Sequence, residues 1–233
     1  RKRIKTMSRL YDAIRKKGFV IIVSPPKNCP ELIATAFECG ADACKVHLNV
    51  EHKASGVSFG SWEKEEDAIK KCLRPNDNPG PVGIMPGAER TPNRKAMEAI
   101  CEAGVDFFDI YDHHCPAWML ALPMCAMMAV GPDYDLHRVR ALSRLGMDIL
   151  EASIVPTEDY GKALTVQDLE RYWLLNQATD RPVVVPSQKK LTPEDLPLIR
   201  ETGVRGVMLG TISLGDTVES FKEQLPDFIT KAQ

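Results

Sequence analysis

Long apolar runs are missing from this 233-residue chain. Stretches such as 19–23 and 126–130 are strand-sized, whereas a membrane-spanning helix needs about 20 apolar residues in a row. An excess of one charge is missing too. Lys and Arg number 30 against 32 Asp and Glu, for a net charge of −2, so the broad basic face of a general nucleic-acid binder is not expected. No CxxC pair occurs among the seven cysteines, Cys29, Cys39, Cys44, Cys72, Cys101, Cys115 and Cys125. Their scatter argues against a zinc ribbon or dithiol redox motif and for reduced thiols in a cytoplasmic core. No signal-peptide core opens the chain, and no composition break marks a second domain. The expectation is one domain over 1–233, with no membrane or nucleic-acid partner and no cofactor. Self-association is common among folds of this kind but has no readable patch here.

What is present is an alternation of short apolar runs with amphipathic segments. Strands are expected at 19–24, 43–49, 82–86, 107–111, 125–130, 148–153, 182–186 and 206–209. Helices are expected near 30–40, 62–73, 91–103, 116–122, 134–145, 165–178, 192–202 and 215–231. Eight strand–helix units in a chain of this length predict an α/β fold, a (β/α)₈ TIM barrel. Gly40, Gly104, Gly146 and Gly203 each stand between a helix and the next strand, where a left-handed helix end is expected. Residues 1–17 predict an extra N-terminal helix. Ile4, Met7, Leu10, Tyr11 and Ile14 share one face of it, and eight of its 17 residues are Lys or Arg. That helix is expected to pack on the barrel bottom with its basic face in solvent. The segments 50–61, 73–80 and 153–164 read as loops, the first being the best lid candidate.

Barrel chemistry gathers at the C-terminal ends of the strands. In the second strand Lys45, His47 and Asn49 alternate with Cys44, Val46 and Leu48. The polar trio cannot pack against helices, so it points inward, and a buried lysine needs a carboxylate. Asp109 alternates with Phe108 and Ile110 in the fourth strand, and Glu151 with Leu150 and Ala152 in the sixth. Lys45, Asp109 and Glu151 are therefore expected to converge. Such a group suits proton transfer next to a carbonyl, with Lys45 and Glu151 exchanging the proton and Asp109 orienting them. An internal ion-pair network is the structural alternative. His47 is a further catalytic candidate. Ser24, Lys27, Asn49 and His113 are candidate substrate contacts. The "YDHHC" run at 111–115 contains Asp112, His113, His114 and Cys115, but adjacent residues on one loop rarely converge on one metal ion, so no metal is expected.

The last quarter, "RPVVVPSQKKLTPEDLPLIRETGVRGVMLGTISLGDT", reads strand, loop, helix, turn, strand and glycine-containing loop. Loops after the last two barrel strands commonly bind phosphate through backbone amides. This makes Ser187, Gln188, Lys189, Gly210 and Thr211 candidate phosphate contacts. Thr192-Pro193-Glu194, Gly203, Val207-Met208-Leu209 and Gly210-Thr211-Ile212 resemble the ribulose-phosphate-binding barrels, with the N-acetylmannosamine-6-phosphate 2-epimerase group the nearest likeness. Specific similarity covers about 50 residues, in the last quarter. It implies an isomerase or epimerase acting on a small phosphorylated sugar or related metabolite. The chain departs from such barrels at Ser187-Gln188-Lys189-Lys190, where a glycine usually follows the seventh strand. "KVHLNVEHK" is similar to the second strand of pentose-phosphate 3-epimerases, but their remaining metal ligands have no counterpart here. Two alternatives stand beside this reading: a lyase, aldolase or synthase using Lys45 as a Schiff base, and a barrel that binds a metabolite without turnover.

Overall fold

The computed structural model describes residues 8–52, 56–74 and 80–233. Strand β1 (Val20–Val23) and β2 (Ala43–His47) are followed by a hairpin, β3 (Glu51–His52) and β4 (Val57–Ser58). The chain continues through β5 (Val82–Met85), β6 (Phe107–Tyr111), β7 (Cys125–Val130), β8 (Ile149–Ala152), β9 (Val183–Pro186) and β10 (Gly206–Leu209). The hairpin stands apart, and the other eight strands close into one parallel barrel in the order β1-β10-β9-β8-β7-β6-β5-β2. This is the expected TIM barrel. Its strands are covered on both faces, so they are continuous apolar runs such as Val20–Val23, buried at every position.

Helices α1 (Arg9–Lys17), α2 (Pro30–Glu38), α3 (Trp62–Cys72), α4 (Arg94–Glu102), α5 (Leu136–Leu145), α6 (Val166–Ala178), α7 (Asp195–Glu201), α8 (Thr211–Leu214) and α9 (Val218–Ala232) complete the described elements. The four interrupting glycines all take positive φ, between 88° and 115°. Two expected helices are corrected. The segment 116–122 forms a 3₁₀ turn over Ala117–Ala121, after another over Asp112–His114. Pro116 and Pro123 bracket too few residues for an α-helix. The expected helix at 215–231 begins later, at Val218, where Thr217 and Ser220 form a capping box, and the short α8 precedes it. The expected loop at 50–61 contains the β3–β4 pairing. Within the expected loop at 73–80, residues 75–79 lie outside the described residues.

Two layers of core follow from strand alternation. Outward residues such as Cys44, Val46, Phe108, Ile110 and Leu150 pack under the helices. Inward residues Val20, Ile22, Ala43, Phe107, Met127, Ile149, Val184 and Met208 fill the barrel. Gly83 makes that filling feasible: a Cβ there would lie 2.2 Å from the Phe107 ring. The N-terminal helix closes the bottom. Leu10 and Ile14 enter the inner core, and Asp106 accepts from Ser8 Oγ at 2.8 Å, Arg9 N at 2.9 Å and Leu10 N at 3.1 Å. Its basic last turn, Arg15, Lys16 and Lys17, is exposed as expected. Ile4 and Met7 lie outside the described residues. Among the described residues no helix is long and apolar enough to cross a membrane.

Candidate active site

Above the apolar layers the inward positions turn polar. Register carries Lys45 on β2, Asp109 on β6 and Glu151 on β8 to one level of the barrel. Lys45 Nζ lies 2.6 Å from Asp109 Oδ2 and 3.9 Å from Glu151 Oε2. All three side chains are buried, and together they form part of the floor of an open cavity of about 1270 Å³. The predicted convergence is therefore present.

The electrostatics assign a charge to each member. Burial works against the Lys45 ammonium, but Asp109 and Glu151 outweigh it and raise its pKa, holding it charged. Glu151 is pushed well above the usual carboxylate range, first by burial and then by the neighbouring Asp109, with Lys45 opposing. A hydrogen bond with Asp109 further favours its protonated form. Asp109 Oδ1, buried with no hydrogen-bond partner among the described residues, is available to accept such a proton. Lys45 is thus favoured as the cation of its pair with Asp109, and Glu151 is biased toward its neutral form.

The remaining candidates divide. His47 is buried, lines the cavity and packs its ring 4.9 Å from that of Phe59. Ser24 and His113 also line the cavity. Asn49 lines it too, but its side chain donates to the Pro86 carbonyl at 3.0 Å and its φ of 52° turns the chain out of β2. Its evident work is to start the hairpin. Two lysines lie elsewhere. Lys27 is exposed and lies outside the cavity lining. Lys189 is buried away from the cavity, with Nζ 3.4 Å from Asp168 Oδ2. Asp168 caps α6 and supplies the counter-charge that an inward-turned lysine needs. Asp112 is held by His113 at 3.2 Å and Arg138 at 2.7 Å, and no cluster of three or more metal-ligating side chains occurs among the described residues.

At the ends of β9 and β10, Gly210 N donates to Ser187 Oγ at 2.8 Å, tying the two loops together. The Thr211 and Ser213 hydroxyls beside it are buried with no hydrogen-bond partner among the described residues. A Cβ at Gly210 would meet Ser24 O at 3.4 Å, an ordinary contact, so local packing does not demand glycine there. Gln188 turns inward. It accepts from Val155 N at 3.1 Å and donates to Ser153 Oγ at 3.0 Å and Tyr160 Oη at 2.7 Å. Sequence reasoning missed Tyr160, Lys64 and Arg90, all of which line the cavity. Their loop and helix-start positions carry no strand periodicity to betray which way they face.

No protein-family model matches this chain, and no curated protein matches it either. Solved structures do. A thiamine phosphate pyrophosphorylase from Pyrococcus furiosus is similar over 94% of this chain and 97% of its own, with 16% identity and a TM-score of 0.65. The tryptophan synthase alpha chain of Legionella pneumophila is similar over 97% of each chain, with 15% identity and a TM-score of 0.70. A tryptophan synthase from M. tuberculosis shows 15% identity over 97% of this chain and 98% of its own, with a TM-score of 0.71. At such identities the likeness is one of fold: this chain is a TIM barrel of the architecture those enzymes use.

Proposed function

We propose that this barrel is an isomerase or epimerase that moves a proton on a small phosphorylated sugar or a related metabolite. The observation that carries the reading is the buried Glu151, its pKa raised by burial and Asp109, beside the Lys45–Asp109 ion pair on the floor of an open cavity. One ionised and one protonated carboxyl group side by side provide a base and an acid at the same moment. In this reading Asp109 and Glu151 carry the proton. Lys45 stays charged and steadies the negative charge that develops on a substrate oxygen, instead of exchanging a proton itself. His47 and Ser24 border the substrate.

A Schiff-base lyase would need Lys45 as a free amine, and its raised pKa works against that form. The phosphate would sit at the tied Ser187–Gly210 corner, where Thr211 offers an unused hydroxyl. One structural neighbour is a thiamine phosphate pyrophosphorylase, which is compatible with this assignment. So is the resemblance of the last quarter to the N-acetylmannosamine-6-phosphate 2-epimerase group.

The test is a thermal-shift screen of phosphorylated metabolites, each paired with its dephosphorylated form. A ligand at about 100 times its Kd adds roughly 2.7 kcal/mol of stability. Stabilisation by phosphorylated members alone is the expected result. With a substrate in hand, Asp109→Asn and Glu151→Gln should each abolish exchange of its proton with solvent. Undiminished exchange in both variants, or borohydride trapping of substrate on Lys45, refutes the mechanism.

A further inference from the structure

Four side chains beside Glu151 form a hydrogen-bonded chain whose direction is set at one end. The Val155 amide can only donate, so the Gln188 atom facing it is the carbonyl oxygen, at 3.1 Å. The Gln188 nitrogen must then spend its two hydrogens on its two other partners, Ser153 Oγ at 3.0 Å and Tyr160 Oη at 2.7 Å. Both hydroxyls accept from it. Ser153 Oγ also lies 2.7 Å from Tyr111 Oη, and one hydrogen serves that contact, whichever oxygen donates it. Tyr111, Ser153 and Tyr160 bring three hydroxyl hydrogens, and the chain uses one. The Tyr160 hydrogen and one from the Tyr111–Ser153 pair have no acceptor within the chain, and all three residues line the cavity.

We infer that Tyr160 and the Tyr111–Ser153 pair form a two-donor subsite that binds an acceptor oxygen of the ligand, a carboxylate or the carbonyl oxygen that becomes an enolate. Gln188 is the positioning residue, since its anchored amide obliges both donors to face outward. Glu151 lies close enough to act on the tyrosines electrostatically when ionised, and its raised pKa disfavours that second negative charge beside the bound oxygen. An acceptor-poor wall of this kind favours an oxygen that gains charge over one that must donate. The inference rests on reading this cavity as the substrate site. It does not rest on the phosphate or on the proton transfer.

Glycolate, a small carboxylate without phosphate, tests it by calorimetric titration of wild type, Tyr160→Phe and Gln188→Glu. Tyr160→Phe removes one donor and keeps the ring. Losing a hydrogen bond to a charged oxygen should weaken glycolate binding about tenfold or more. Gln188→Glu has nearly the same shape but inverts the chain: its carboxylate accepts from Tyr160 and Ser153 and draws their hydrogens out of the cavity. Glycolate binding should then be lost. Inorganic phosphate, bound at the Gly210 corner, should keep its affinity in Tyr160→Phe, which a general collapse of the cavity would not allow. Glycolate that fails to bind wild type at tens of millimolar, or that binds all three proteins equally, overturns the inference. Loss of glycolate binding in Tyr160→Phe, with no phosphorylated compound binding wild type, sustains the subsite and sinks the phosphate assignment alone.

Discussion

Replacing Glu151 with glutamine asks whether the buried acid is protonated, through stability alone. Burial and Asp109 raise the Glu151 pKa in the folded chain above its ordinary 4.5. Above that ordinary value the unfolded chain has released this proton and the folded chain still holds it. The unfolded state therefore binds fewer protons, and stability falls as pH rises until the folded group ionises too. For one proton the slope reaches about 1.4 kcal/mol per pH unit. In a chain of this size that is roughly 3–6 °C in Tm per unit. Glutamine copies the neutral acid in shape and carries no proton to lose. Urea midpoints of wild type and Glu151→Gln, measured from about pH 5 to pH 8, should separate steadily, with the variant relatively more stable toward the alkaline end. Contributions from titrating groups distant from Glu151 cancel in the difference. Parallel curves, or a variant that loses ground as pH rises, would mean that Glu151 is ionised beside Lys45, and the acid–base assignment would fall with it.

Two further outcomes follow from the same structure. Lys45→Met leaves the Asp109 carboxylate buried without its cation and should cost about 3–5 kcal/mol in urea unfolding near neutral pH; adding Asp109→Asn should recover a large part, and a double variant no better than the single would contradict the pairing. Asp106→Ala removes the three hydrogen bonds that hold the start of α1, at about 1 kcal/mol each, and amide hydrogen exchange of residues 9–17 should accelerate well before that of the barrel strands.

Strand alternation made the polar level of the barrel legible. A lysine between Cys44 and Val46 can face only inward, and an inward lysine requires the carboxylates that β6 and β8 carry at the same parity. That logic does not reach Lys189, a candidate only through its place in the loop after β9. It lies beyond the end of β9, where no periodicity fixes direction, and the Asp168 that turns it inward is a capping residue on α6. Gln188 was named as a ligand contact, yet its amide is spent on Val155, Ser153 and Tyr160. That network joins the ends of β6, β8 and β9 to the loop carrying Tyr160, and the chain's order says nothing of such meetings. The helix expected at 116–122 failed on local grounds that were in view, two prolines closing off too short a span.

The closure of the barrel through β1 and β10 also bears on how the protein comes into being. Val20 pairs with Gly206 and Val23 with Leu209, so the last seam joins residues almost the whole chain apart. During synthesis the sheet has an open edge at β1 until β10 has left the ribosome, and unpaired edges invite association with other chains. The Gly210–Thr211 corner directly follows that final strand, and Ser24 N bonds to Leu209 O across the seam. Closing the seam and completing the proposed anion corner are thus one event. On that proposal a nascent chain would gain affinity for a phosphorylated ligand only when its most exposed edge disappears, and such a ligand would draw newly made chains through their most vulnerable step.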